Sequence, residues 1–330
     1  MASFHSIVRG RLAPSPTGAL HIGNARTFLI AWLHARSLGG QVVMRMEDLD
    51  HPKNKKGASE GALEDLRWLG FDWDEGPDVG GPCAPYTQSK RKDLYRAALE
   101  TLQQKGLVYP CACSRKDVEA GQSAPHEGET LLYPGTCRGR FHDFAGARAA
   151  MGGRTPAWRF RVEKGRTIAF DDLFCGHYEQ DVASYCGDFV LARDEFGAGY
   201  MLAVVVDDAA MGVTEVVRGD DLLSATPRQL LLYEALGLPP PSFLHVPLVR
   251  GPDGLRLAKR HGDTRIAAFR EAGVKPGRLL GYLASTCGWA EPGESVTLPG
   301  LLERFDLAKL PRHDIVWKTG EGLGTGGQGV

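Results

Sequence analysis

Between Arg11 and Asn24 the chain reads Arg-Leu-Ala-Pro-Ser-Pro-Thr-Gly-Ala-Leu-His-Ile-Gly-Asn. Pro14 and Pro16 fix φ and remove two N–H donors, so the stretch cannot be helical, and Thr17-Gly18 supplies a turn. Directly afterwards Phe28, Leu29, Trp32 and Leu33 recur at the spacing of one buried helix face, and Gly39-Gly40 ends the run. Val42–Met46 then reads as a buried strand. A strand, a proline-rich loop, a helix and a strand form the opening of an α/β fold with a doubly wound parallel sheet. The loop brings His21, Gly23 and Asn24 to the helix N-terminus, where unpaired N–H groups and the helix dipole favour phosphate. Neither G-x-G-x-x-G nor G-x-x-x-x-G-K-[ST] occurs, which removes the dinucleotide and P-loop readings.

The 330 residues suffice for two or three domains. A net charge of −1 carries no global nucleic-acid signal, so any RNA contact must rest on local patches. Seven cysteines, an odd number without framework spacing, fit a reducing compartment. With no apolar run of membrane-spanning length and no secretory leader, the expectation is a cytoplasmic protein without a membrane partner.

Further along, Glu47-Asp48-Leu49-Asp50 places carboxylates at the C-terminal end of a strand, where open α/β sheets bind ligands; a solvated acidic turn is the alternative. Ala58–Leu69 reads as a surface helix with Glu60, Glu64 and Asp65 outside. Gln88–Lys105 reads as an amphipathic helix with Leu94, Tyr95, Ala98, Leu99 and Leu102 inward. Cys111-Ala112-Cys113 and, about twenty residues on, Tyr133-Pro134-Gly135-Thr136-Cys137 suggest a tetrahedral zinc knuckle. Its fourth ligand is open between His126, His142 and Tyr133, and reduced cysteines without metal are the alternative. Arg138–Arg166 holds eight Arg/Lys against Asp143 and Glu163, interleaved with Phe141, Phe144, Trp158 and Phe160. An RNA-backbone contact and a solvated face of an α+β insertion weigh equally there. Tyr200–Asp208 is a core run ending in two carboxylates. Val213–Asp221 is a further buried strand that delivers Arg218 and Asp220 to the ligand edge. Arg218 either grips a carboxylate bidentately or pairs with Asp207 or Asp220.

The Arg11–Gly23 string resembles the HIGH signature of class I aminoacyl-tRNA synthetases, and its proline-rich lead resembles the glutamyl branch. Gly254–Gly262, with Lys259 retained, resembles the family's KMSKS loop; Arg256 stands for its first lysine and Ala258 for its serine. The resemblance runs in consistent order to about residue 318. It implies ATP, used with Mg²⁺, and L-glutamate as substrates. Arg11, Ser15, Glu47, Tyr200 and Arg218 match the glutamate pocket. His21, Gly23, Asn24 and Lys259 match the ATP site, His21 and Lys259 as its catalytic members. Two arginines for two substrate carboxylates and one acid for the ammonium are self-consistent for glutamate. Queuosine-directed paralogues of glutamyl synthetases ligate zinc through Cys-x-Cys, Tyr and Cys, which Cys111, Cys113, Tyr133 and Cys137 match; one structural Zn²⁺ is implied.

The implied organisation has residues 1–105 and 200–262 as the halves of a Rossmann-like catalytic domain. Residues 106–199 form an inserted α+β zinc-bearing subdomain, 263–318 a helical stem-contact-like region and 319–330 a disordered tail. No stretch matches the anticodon-binding domain of glutamyl-tRNA synthetases. The expectation is therefore a monomer that forms glutamyl-adenylate without tRNA and esterifies the cyclopentenediol of queuosine in tRNA(Asp). Competing readings are a compact enzyme charging the 3′ end of tRNA(Glu) and a catalytically idle paralogue binding RNA or glutamate.

Overall fold

A computed structural model describes residues 7–49, 53–120, 131–195, 197–255, 257 and 259–317. β1 (Arg9–Leu12) and β2 (Gln41–Met44) pair in parallel with Arg11 opposite Val43, and α1 (Ile22–Ser37) is the crossover. α2 (Ala58–Trp68) and α3 (Lys92–Gln104) follow. The single helix expected over 88–105 is interrupted. A 3-10 turn at Gln88–Lys90 precedes α3, and between them the Arg91 guanidinium turns inward to Asp207 at 2.6 Å. Leu94, expected inward, is exposed, while Tyr95, Leu99 and Leu102 are buried. On α2, Asp65 faces inward rather than outward, against Arg270 at 3.5 Å.

The middle of the chain is α+β. β3 (Val108–Cys111), α4 (Arg115–Ala120), α5 (Phe144–Ala150), β4 (Ala157–Phe160), β5 (Thr167–Asp172), β6 (Gly176–Asp181), α6 (Val182–Tyr185) and β7 (Phe189–Ala192) succeed one another. β3-β4-β7 is an antiparallel sheet, and β5–β6 is a separate hairpin.

The core run after it is helical: α7 spans Tyr200–Ala210. A continuous apolar run does not distinguish a strand from a helix buried all round, and Leu202 to Val205 are all buried here. Then come β8 (Glu215–Gly219), α8 (Thr226–Leu236), β9 (Ser242–Val246) and β10 (Val249–Arg250). β8 and β9 are parallel, with Arg218 opposite His245. They lie beside β1: Thr214 N–H donates to the Arg9 carbonyl, and Arg11 Nη1 donates to the Val217 carbonyl at 2.8 Å.

α9 (Ile266–Glu271), α10 (Pro276–Ser285) and α11 (Leu298–Leu302) lead to β11 (Ile315–Val316), which pairs in parallel with β10. This last region, expected to be helical throughout, thus returns as a strand. α1 buries Leu29, Ile30 and Leu33 in one core with Leu279, Leu283, Trp289 and Leu301. A second core joins α3, α7 and α8 to β4 and β7, and a third, small one surrounds Cys111, Tyr133 and Cys137.

Candidate active site

A cavity of about 650 Å³ opens at the C-terminal ends of β1, β2, β8 and β9, the usual ligand edge of such a sheet. Arg11, Ser15, Glu47, Tyr200 and Arg218 all line it, as do His21, Gly23 and Asn24. Residues spread over more than two hundred positions therefore meet in one place. Of the loop carrying Lys259, Leu257 lines the cavity and Lys259 opens the 3-10 turn Lys259–His261. Arg256 and Ala258 lie outside the described residues.

Beneath the cavity lies a buried charge network that sequence reading did not reveal. Arg45 donates to Glu47 at 2.8 Å and to Asp208 at 2.6 Å, and Asp208 lies 3.8 Å from Arg11 Nε. Burial opposes the Arg45 charge, but Asp208, Glu47 and Asp207 together raise its pKa well above the usual arginine value. Burial pushes the Glu47 carboxyl up, with Arg45 pulling the other way. Arg45 and Glu47 are two residues apart on an extended segment, so both project to one face; that alternation was the available signal. Asp208 was not accessible this way, because α7 brings it from 163 residues away. The neighbouring carboxylates are structural. Asp48 accepts from the Ser89 N–H and hydroxyl at 2.7 and 2.6 Å, and Asp50 lies outside the described residues. Asp207 accepts from Gln88, Arg91 and Tyr95.

Arg218 pairs with neither Asp207 nor Asp220. Its Nε donates to His245 Nε2 at 2.9 Å and its Nη2 to Thr226 Oγ1 at 2.8 Å, over the Phe243 ring. Nη1 is buried with no protein partner. Arg11 Nε is likewise without a hydrogen bond. Buried guanidinium nitrogens without partners are costly unless a ligand completes them.

His21 caps α1. Its Nδ1 accepts from the Gly23 and Asn24 N–H groups at 3.1 and 3.3 Å, and Asn24 Oδ1 reciprocates to the His21 N–H. Ile22 N–H donates to the Thr264 carbonyl. The N–H groups expected to be unpaired are therefore engaged, and the ring edge replaces them at the cavity. Because Nδ1 accepts, the neutral ring carries its proton on Nε2, and burial lowers the His21 pKa in keeping with this. Gly23 suits this packing, since a Cβ there would lie 3.1 Å from the His21 ring and press it out of place by a few tenths of an ångström.

Away from the cavity, the sulfurs of Cys111, Cys113 and Cys137 lie within 4.8 Å of one another. The Tyr133 hydroxyl is 3.3 Å from Cys111 Sγ and 3.8 Å from Cys113 Sγ. Of the alternatives for a fourth ligand, His142 is exposed beside Asp143 and His126 lies outside the described residues. Tyr133 is held by a backbone bridge to Gly187, whose φ of +65° and close approach to the Tyr133 carbonyl exclude a side chain. Arg159 lies over the Tyr133 ring at 3.7 Å and donates to Cys111 Sγ at 3.2 Å.

The basic stretch is turned inward in part. Arg138 pairs with Asp188, Arg166 with Glu234, and Arg159 is buried against the thiols. Phe144, Trp158 and Phe160 are core residues, so they are not stacking platforms for bases. No helix among the described residues is long and apolar enough to cross a membrane.

Known proteins resemble the chain over nearly its whole length. Residues 7–314 match the family described as tRNA synthetases class I (E and Q), catalytic domain. The chain is 52% identical over 308 residues to a glutamyl-Q tRNA(Asp) synthetase of Symbiobacterium thermophilum, covering 93% of this chain and 94% of that protein. It is 42% identical to a glutamate–tRNA ligase of Heliobacterium modesticaldum, covering 94% of this chain but 62% of the ligase. The crystal structure of glutamate-tRNA synthetase from Elizabethkingia anophelis superposes with a TM-score of 0.81 at 29% identity, covering 95% of this chain and 68% of that one. The chain thus belongs to the class I glutamyl and glutaminyl tRNA synthetases, over their catalytic domain.

Proposed function

We propose that this chain activates L-glutamate with ATP and Mg²⁺, without tRNA, and transfers the glutamyl group to the cyclopentenediol of queuosine in tRNA(Asp). The observation that carries the reading is the convergence of Arg11, Arg218 and Glu47, with Ser15 and Tyr200, on the cavity that His21 borders. Two guanidinium groups suit two carboxylates and one carboxylate suits an ammonium. In the first step a carboxylate oxygen of glutamate attacks the α-phosphorus of ATP in line, and pyrophosphate leaves. Little proton transfer is needed. Arg11, Arg218 and Glu47 hold the amino acid, and the neutral His21 ring donates its Nε2–H to phosphate oxygens. Lys259 offsets charge on the departing pyrophosphate. A queuosine hydroxyl then attacks the adenylate carbonyl and AMP leaves.

Cys111, Cys113, Cys137 and Tyr133 form a donor set that suits one structural Zn²⁺, since four side-chain donors already converge. Such an ion would order the segment around β3 and takes no part in activation. We also read 1–105 with 200–262 as the catalytic halves, 106–199 as the insertion and 263–318 as an appended region, in a monomeric protein. The test is transfer of labelled glutamate to tRNA(Asp) with and without queuosine and to tRNA(Glu). Labelling only of the queuosine-bearing tRNA is expected. Labelling of an unmodified tRNA(Glu) transcript would transfer the assignment to 3′-end charging.

A further inference from the structure

The geometry points to His245, held by Asp172 of the β5–β6 hairpin, as the positioning residue that sets which edge of Arg218 meets a substrate carboxylate. This rests on the glutamate reading above and adds residues that do not line the cavity. A guanidinium has only donors, so His245 Nε2 must accept from Arg218 Nε. The ring proton is then on Nδ1, which donates to Asp172 Oδ2 at 2.6 Å. Asp172 is itself fixed, accepting from the backbone N–H groups of Phe174, Cys175 and His245. The chain of partners from hairpin backbone to Asp172, His245 and Arg218 is continuous and buried.

The consequence is directional. His245 takes the Nε edge of the guanidinium and Thr226 takes one side of Nη2, while Phe243 supports its plane. Nη1 is the nitrogen left without a protein partner. Thr226 Oγ1 also lies 3.2 Å from His245 Nε2 and can donate to it. If His245 carried its proton on Nε2, that N–H would face the Arg218 Nε–H and compete with Arg218 for Thr226 Oγ1, and the guanidinium would have to turn. Asp172 prevents that by binding the proton on the opposite nitrogen, as carboxylates commonly do for orienting histidines.

The test uses ATP–pyrophosphate exchange on the full chain, varying glutamate and ATP separately. His245→Gln keeps an acceptor where Nε2 sits; His245→Asn keeps a partner for Asp172 and loses the acceptor toward Arg218. His245→Asn is expected to raise the glutamate KM tenfold or more, with the saturated rate and the ATP KM within twofold. His245→Gln is expected to stay within threefold of the parent. Equal glutamate KM values for the two variants, whether raised or unchanged, would overturn the positioning role. Asp172→Asn, outside the cavity, lets the ring carry its proton on Nε2. It is expected to raise the glutamate KM at least threefold, and an unchanged KM would remove Asp172 from the relay. A parent protein that shows no glutamate-dependent exchange would overturn the glutamate reading itself. A parent that exchanges while the variants do not separate overturns only the inference drawn here.

Discussion

Arg11 and Arg218 at the cavity and Arg138 and Arg159 of the stretch Arg138–Arg166 are used in opposite ways. At the cavity, Arg11 and Arg218 are buried; Arg218 Nη1 has no protein partner, and Arg11 Nε, 3.8 Å from Asp208, makes no hydrogen bond. In the stretch, Arg138 is paired with Asp188 from 50 residues away and Arg159 is spent on Cys111 and the Tyr133 ring. A count of cations along a window therefore overstates the charge free to meet a nucleic acid, because folding commits some of them to partners from elsewhere while Arg140, Arg148, Arg154 and Lys164 stay exposed. A partly unpartnered cation in a cavity points to a ligand, and a fully partnered one points to architecture.

Four measurements would break or sharpen that contrast. Arg218→Ala removes an unspent cation, and kcat/KM for glutamate in exchange should fall about 100- to 1,000-fold; a loss under tenfold would take Arg218 out of the binding machinery. Cys137→Ser should abolish zinc retention by metal analysis and lower Tm by about 10 °C. Glutamate-dependent exchange at low temperature should change less than tenfold, and a larger loss would tie the knuckle to the chemistry. Arg159→Ala, removing a spent cation, should cost about 3 kcal/mol of stability in denaturant titration while the glutamate KM stays within twofold. A shifted KM with unchanged stability would reverse the contrast.

The smallest effect concerns Asp65, buried with an oxygen lacking a hydrogen bond. Burial raises its pKa to about 6, against an opposing pull from Arg270. The folded state thus binds the Asp65 proton more tightly than the unfolded state. That contribution to stability is complete below about pH 4 and is lost as pH rises through about 6. Asp65→Asn should therefore raise stability by on the order of 1–2 kcal/mol at pH 8 and by nothing at pH 4. A gain independent of pH would refute the assignment.

What was legible in the sequence follows from how far each feature's partners lie. Pro14, Pro16, Thr17 and Gly18 impose the loop through their own backbone chemistry, and α1 follows from a single apolar stripe, so this unit was readable locally. His21, Gly23 and Asn24 were found with it, although their cap geometry, with the N–H groups already engaged, depends on ring placement that no spacing conveys. Asp65 read as a surface acid and Asp207 as a possible partner of Arg218 because their actual partners, Arg270 and Arg91, are remote in sequence. His245 carries no local signal of a role, which required the β8–β9 register that sets it opposite Arg218. Tyr200–Ala210 stayed ambiguous because an element buried on every side loses the periodicity that identifies it.

If unspent charge around the cavity selects glutamate for activation by ATP, the purified chain with glutamate and Mg²⁺ catalyses ATP–pyrophosphate exchange in the absence of any tRNA. Exchange that depends on glutamate and proceeds without tRNA is expected. No exchange without tRNA(Glu), followed by exchange on its addition, would contradict tRNA-independent activation; silence in both conditions would contradict activation altogether.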